Sequence, residues 1–324
     1  MLGRWFITPG ELRRLGVLGM NARNGAFIAR YNERANYPLV DDKLQTKRLA
    51  LDAGIAVPEL YGVIETQQQI KRLGRMLEGR EDFVIKPAHG AGGDGILVIT
   101  GRMGEGFRRA SGKLMDLEAI AHHCANILSG MYSLGGQPDH AMIEYRVQFD
   151  PLFEQVSFQG VPDIRTVVYR GYPVMAMVRL PTRQADGKAN LHQGAVGAGV
   201  EMGSGETLTG VWHSRITTRH PDTGADIAGI PIPDWDTLLE LAARCHDLTD
   251  LGYLGVDVVL DRDHGPLILE LNARPGLAIQ IANREGLMHR IRAVDQRLAD
   301  IEDTEDARAR AAWAQVRFAV SQAV

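Results

Sequence analysis

The sequence predicts an α+β protein with room for two lobes, and three observations carry that expectation. Strand-like runs come as pairs around short polar or glycine-rich turns, at 83–100, 163–180 and 255–272, rather than alternating singly with helices. Helical patterns fall between those pairs and at both ends of the chain. With 324 residues and 45% hydrophobic content, the chain can bury a large core.

Each element follows from its local pattern. Pro9 to Tyr31 has helical spacing through Leu12, Leu15, Leu18, Phe27 and Ile28, but Gly16, Gly19 and Gly25 split it into short pieces. In VDDKLQTKRLALDAG a cleaner helix is capped by Asp41 or Asp42 and stopped by Gly54. A further helix is expected over Gln67 to Leu77. FVIKPAHGAGGDGILVIT then reads as strand, glycine loop, strand. A helix around Asp116 to Leu128 precedes a strand at AMIEYRV, and DIRTVVYRGYPVMAMVRL reads as a hairpin turning at Arg170, Gly171 and Tyr172. Residues 181–210, rich in Gly, Asn and Ser without a clear period, are expected to form a long functional loop. The helix DWDTLLELAARCHDLTDLG leads into two strands, GVDVVLD and GPLILELN, and from about Asn283 the tail is polar and mostly helical.

Composition narrows the function classes. A formal net charge of −4 gives no electrostatic footprint for nucleic acid or an anionic membrane. The two cysteines, Cys124 and Cys245, lack metal or disulfide spacing and read as core residues of a protein in a reducing cytoplasm. No stretch approaches 18 apolar residues, and the opening MLGRWFITPGELRRLGVLG does not read as a signal peptide.

The chemistry concentrates in LILELNARPG, residues 267–276, where Glu270 and Asn272 lie two apart and so face the same side of a strand. A turn through residues 262–265 would set Asp257 of the preceding strand near Glu270. Three oxygen-bearing side chains without His or Cys favour Mg²⁺ over Zn²⁺, with phosphates completing its shell. The matching half is KPAHGAGGDG, where Gly90, Gly92, Gly93 and Gly95 let backbone N–H groups approach an anion and Lys86 brings a positive charge. This is neither a Walker sequence nor a dinucleotide-binding loop.

The ordered set DKL (42–44), FVIKP (83–87), GAGGDG (90–95), MIEYR (142–146), DIR (163–165), NLHQGA (190–195), GVD (255–257) and LELNARPG (269–276) resembles the ATP-grasp ligases. Nearest among them are the RimK-type α-L-glutamate ligases, and the likeness covers about residues 41–285. It implies an ATP-grasp fold, two α+β lobes gripping ATP, with a shortened N-terminal helical segment (1–40). A small lobe with the glycine loop (41–145), a large lobe with the metal site (146–285) and a helical C-terminal tail (286–324) would follow. Lys43 and Lys86 would contact the α and β phosphates, the glycine loop would close over ATP, and Glu144, Tyr145 and Arg146 would form the hinge beside adenine. Asp257, Glu270 and Asn272 would hold two Mg²⁺ ions, with Mn²⁺ as a substitute. Arg165, Asn190 and Arg274 fall where the family stabilises an acyl-phosphate or holds substrate. Arg274 stands where typical members carry a small residue, which implies a differently charged pocket. His89 and His192 are read as hydrogen-bonded loop residues rather than catalytic ones.

The activity so implied is ATP-dependent joining of a carboxylate to an amine through an acyl-phosphate, with glutamate and a peptide or protein as candidate substrates. An oligomer and, by family context, a membrane-protein partner stay open. So do two other classes: a phosphotransferase on the same scaffold, and a nucleotide-responsive binding module without turnover.

Overall fold

A computed structural model describes residues 7–90 and 92–319. The first six residues of the opening segment, Ala91 of the glycine loop and the last five residues of the expected tail lie outside the described residues. The chain divides into two compact units, one spanning Asp41–Gln148 and the other joining the residues up to Val40 with those from Phe149 onward.

The Asp41–Gln148 unit opens with the helix Lys43–Asp52, whose first turn is capped by Asp42 Oδ1 accepting from the backbone N–H of Leu44 at 2.9 Å and of Gln45 at 3.2 Å. Its strands are β1 (Leu60–Ile64), β2 (Phe83–Pro87), β3 (Leu97–Met103), β4 (Gly106–Arg109), β5 (Leu114–Met115) and β6 (Ala141–Glu144). They form one antiparallel sheet in the order β1-β6-β2-β3-β4-β5. The helix Leu117–Leu128 buries Ile120, Cys124 and Ile127 against Phe83, Ile85 and Ile99, so its 3.6-residue stripe meets the two-residue alternation of the sheet. The helix expected over Gln67 to Leu77 is two short turns, Gln67–Ile70 and Leu73–Met76. Strands β1, β4 and β5 carry no strong alternation and are the elements the sequence pattern missed.

The second unit contains β7 (Asp163–Tyr169), β8 (Tyr172–Leu180), β9 (Val196–Val200), β10 (Thr207–Trp212), β11 (Arg215–Thr217), β12 (Tyr253–Asp261) and β13 (Gly265–Asn272). Their antiparallel order is β11-β10-β9-β8-β7-β12-β13. The β7–β8 hairpin turns where expected, with Arg170 and Gly171 at φ of 48° and 86°. The long loop expected over 181–210 is corrected: β9 lies inside it, and β10 begins there. VGAGV hides its strand character because Gly199 sits where a Cβ would come 2.6 Å from the Ala282 carbonyl oxygen, so close packing replaces an apolar side chain. Every residue of β12 is buried, which gives a near-continuous apolar run rather than alternation.

Helices Trp235–Thr249, Leu287–Asp300 and Ala307–Phe318 pack on this sheet. The N-terminal segment joins the same core: Phe27 and Tyr31 meet Tyr169 edge-on at 5.7 and 5.6 Å. Asn32 Nδ2 donates to the Tyr253 carbonyl at 2.8 Å while its Oδ1 accepts the Tyr253 N–H at 2.8 Å. Both cysteines are buried, and burial pushes each thiol up to about 12, which removes thiolate chemistry. Among the described residues no helix is long and apolar enough to cross a membrane.

Candidate active site

Strand register brings the charged residues of the larger unit onto one sheet face. Arg165 of β7 pairs with Asp257 of β12, which pairs with Glu270 of β13; Asp163 pairs with Arg179 of β8, and Gly255 with Asn272. Directly paired residues share a face. Leu269 is left over as a bulge, since Asp257 pairs with residue 270 but Val258 with residue 268. That extra residue keeps Glu270 and Asn272 beside Asp257 while the apolar start of β13 stays in the core.

The side chains there form a chain of ion pairs. Arg165 donates to both oxygens of Asp257, Nε to Oδ1 at 2.7 Å and Nη2 to Oδ2 at 2.6 Å. Arg179 Nη2 donates to Asp257 Oδ2 at 2.8 Å and, with Nε, grips Asp163 at 2.6 and 2.5 Å. Asn272 Nδ2 adds a bond to Asp257 Oδ2 at 3.2 Å. Burial opposes ionisation of Asp257, but Arg165 and Arg179 outweigh it and hold its carboxyl below the usual range. Burial pushes Asp163 up to about 6, with Arg179 opposing and the Asp257 charge adding to the rise. Neither Arg179 nor Asp163 was singled out from sequence; their register two residues from Met177 and Arg165 is the signal that could have found them.

Loops frame this face. Gly255 must be glycine, because a Cβ would sit 2.7 Å from the Pro275 ring in the folded-back NARPG segment. Arg274 is exposed and lies 5.3 Å over the Tyr37 ring. Asn190 Oδ1 accepts the His192 N–H at 3.0 Å, so it shapes its own turn.

In the Asp41–Gln148 unit, Lys86 Nζ lies 2.5 Å from Glu144 Oε1, and Lys47 Nζ lies 2.6 Å from Glu144 Oε2 outside hydrogen-bond alignment. All three are buried. Burial would raise the Glu144 carboxyl, but the two ammonium groups overcome it and lower it. Burial lowers Lys47 to about 8 against the pull of Glu144. Lys47, one turn after Lys43 on the same helix, was not singled out from the sequence. Lys43 Nζ donates to the Gly90 carbonyl at 2.6 Å, at the mouth of the glycine loop. Gly92, Gly93 and Gly95 all adopt positive φ, and a Cβ on Gly95 would meet the Tyr132 ring at 2.6 Å. His89 Nδ1 is 2.8 Å from buried Asp139, as expected of a bonded loop histidine. In the stretch expected as hinge, the Glu144 carboxylate pairs with the two lysines, Tyr145 N–H donates to the Glu59 carbonyl at 2.8 Å, and Arg146 is held by Asp82 and Gln148 at 2.9 Å each.

Among the described residues no three His, Cys, Asp or Glu groups converge as a metal cluster, so a divalent ion at this sheet face depends on the Asn272 amide oxygen beside the two carboxylates. The residues fit that role. Asp257 Oδ2 already accepts three hydrogen bonds, whereas Oδ1 accepts only the one from Arg165 Nε, so Oδ1 is the oxygen that keeps a lone pair for an ion. The donor set is all oxygen, suited to Mg²⁺.

A sequence profile of sugar-transfer associated ATP-grasp proteins matches residues 22–296. The chain belongs to this ATP-grasp family. The resemblance drawn from its motifs is thereby borne out, as is the α+β ATP-grasp fold. A probable α-L-glutamate ligase from Maridesulfovibrio salexigens is 26% identical over 236 residues, in keeping with a RimK-like member. That match takes in 73% of this chain but 56% of the relative, so the chain spans little more than half the relative's length. Among solved structures, the D-cycloserine synthetase DcsG aligns with a TM-score of 0.47 at 15% identity, over 86% of this chain and 79% of that one. A RimK-domain ATP-grasp protein from Sphaerobacter thermophilus aligns with a TM-score of 0.44 at 18% identity, over 82% and 70%. Likeness at that level says nothing about substrate.

Proposed function

We propose that this ATP-grasp protein is an ADP-forming carboxylate–amine ligase. The observation that carries the reading is the register that sets Arg165, Asp257 and Glu270 side by side on one sheet face, with Asn272 two residues on. In the reaction, an oxygen of the substrate carboxylate attacks the γ-phosphorus of ATP and the bond to the ADP oxygen breaks. The amine then attacks the acyl carbon, phosphate leaves, and the nitrogen loses a proton to give the amide. Asp257, Glu270 and Asn272 would hold Mg²⁺, which neutralises phosphate charge when bound. Arg165 would turn from Asp257 toward the transferring phosphoryl group, supplying charge where it develops. Lys86 and Lys43 would bind the nucleotide phosphates, the glycine loop would exclude water, and Asn190 Nδ2 and Arg274 would orient substrate. The likeness to a probable α-L-glutamate ligase makes glutamate the first amine to test, with a peptide or protein among the acids.

Purified protein is incubated with MgATP and paired panels of acids and amines, and products are read by mass. The amines include glutamate and, because the family is described as sugar-transfer associated, amino sugars. The expected product has the mass of acid plus amine less one water and forms with stoichiometric ADP and phosphate. A phosphorylated acceptor instead would make the protein a phosphotransferase, and ATP binding without consumption would make it a binding module.

A further inference from the structure

One cleft in the larger unit is unused by the chemistry above. Its volume is about 1050 Å³, at the upper end for a small-molecule site and far more than an amino acid needs. It adjoins the substrate-holding stretches: Leu191 and His192 follow Asn190 directly, and Leu277 and Ala278 follow the NARPG segment. The opposite wall is the N-terminal segment, through Leu12, Leu15, Val17 and Leu18.

That wall is built in place. Buried Gln280 accepts the N–H groups of Leu18 and Leu287 at 2.8 and 3.0 Å and donates to the Leu18 carbonyl at 3.0 Å. Met288 N–H donates to the Gly16 carbonyl at 2.9 Å, and a Cβ on Gly286 would lie 2.1 Å from the Gly16 carbonyl carbon. Leu15, Val17 and Ile281 are nevertheless 56%, 36% and 50% exposed, so hydrocarbon faces the open cleft. The polar lining is cationic in balance: Arg14 and Arg284 have no ion-pair partner among the described residues, while Glu285 is committed to Arg290 at 2.6 Å. His213 and Ser214, at φ of 46° and 62°, form the two-residue turn between β10 and β11 that closes one side of the cleft.

We infer that this cleft binds the carboxylate substrate and that this substrate carries a straight alkyl chain. Its identity as the reacting acid rests on the ligase reading. An alkyl chain suits the wall better than a peptide does, because the wall's backbone groups at Val17, Leu18 and Gly16 are already paired and would leave a peptide's own N–H and C=O groups unsatisfied. The anionic end suits the two unpaired guanidinium groups.

The test is calorimetric titration of the full chain, without nucleotide, with straight-chain acids from butanoate to dodecanoate. Affinity is expected to rise about fourfold per added methylene until the cleft fills. Leu15→Asp and Ile281→Asp, both at exposed positions, should each weaken dodecanoate binding at least tenfold with the thermal midpoint nearly unchanged. Affinity independent of chain length, binding unaltered in both variants, or binding of an apolar tripeptide alone would overturn the inference. ADP release stimulated by dodecanoate plus an amine supports both readings. Chain-length-dependent binding without such release supports the alkyl site and counts against the ligase reading instead.

Discussion

Arg165 and Asp257 stand opposite each other in neighbouring strands, and one guanidinium closes on both carboxylate oxygens at 2.7 and 2.6 Å. A lysine cannot make that two-point contact. Arg165→Lys is expected to lower ADP formation by about 10²–10³-fold, the usual cost of losing one charge-stabilising donor. Steady-state ADP release at saturating MgATP checks it, and a turnover within threefold of the parent would remove Arg165 from the mechanism.

Glu270 shares its face with Asp257 and Asn272, and its charge is the part a divalent ion would use. Glu270→Gln keeps the shape and removes the charge. The expected outcome is at least tenfold weaker binding of ADP in the presence of Mg²⁺, with metal-free ADP binding little changed. Calorimetry with and without Mg²⁺ separates the two, and an equal loss in both would mean that Glu270 acts through folding alone.

Lys47 offers a pH signature. Its pKa falls from 10.5 to about 8 on folding, so between those values the unfolded chain holds more protons and stability rises with pH. The penalty is fully present below pH 8 and gone above 10.5. Urea unfolding of the parent should show a gain of about 1–3 kcal/mol across that window relative to Lys47→Met, whose curve lacks the contribution. Parallel pH profiles for the two proteins would show that Lys47 is not buried as a cation.

Gly255→Ala tests the folded-back NARPG segment. The new methyl would meet the Pro275 ring at 2.7 Å, so the loop must shift by several tenths of an ångström. Activity is expected to fall at least tenfold while stability drops by about 1–3 kcal/mol, the range for overpacking. Full activity in a folded variant would mean that the position of this loop is immaterial.

Much of the fold was legible because the relevant patterns are local. The Asp42 cap, the glycine loop and the turn at Arg170 and Gly171 are fixed by residues a few positions apart. The β12–β13 hairpin could be read for the same reason, and with it the pairing of Asp257 with Glu270. β9 could not, since Gly199 yields to the backbone at Ala282, more than eighty residues away. The partners of Glu144 were equally hidden: the motif resemblance placed it in a hinge, and nothing local indicated that Lys47 and Lys86 pair with its carboxylate.

By itself the sequence determined the ATP-grasp membership, the hairpins and the oxygen-bearing set on β12 and β13, because periodicity and motif spacing are properties of short segments. Only the tertiary structure decided which partners those charges take. The clamp of Arg165 and Arg179 on Asp257, the burial of Lys47 and the apolar cleft against residues 12–18 all join segments distant in the chain. Desolvation and Coulomb attraction depend on distance in space, and no local pattern encodes that distance.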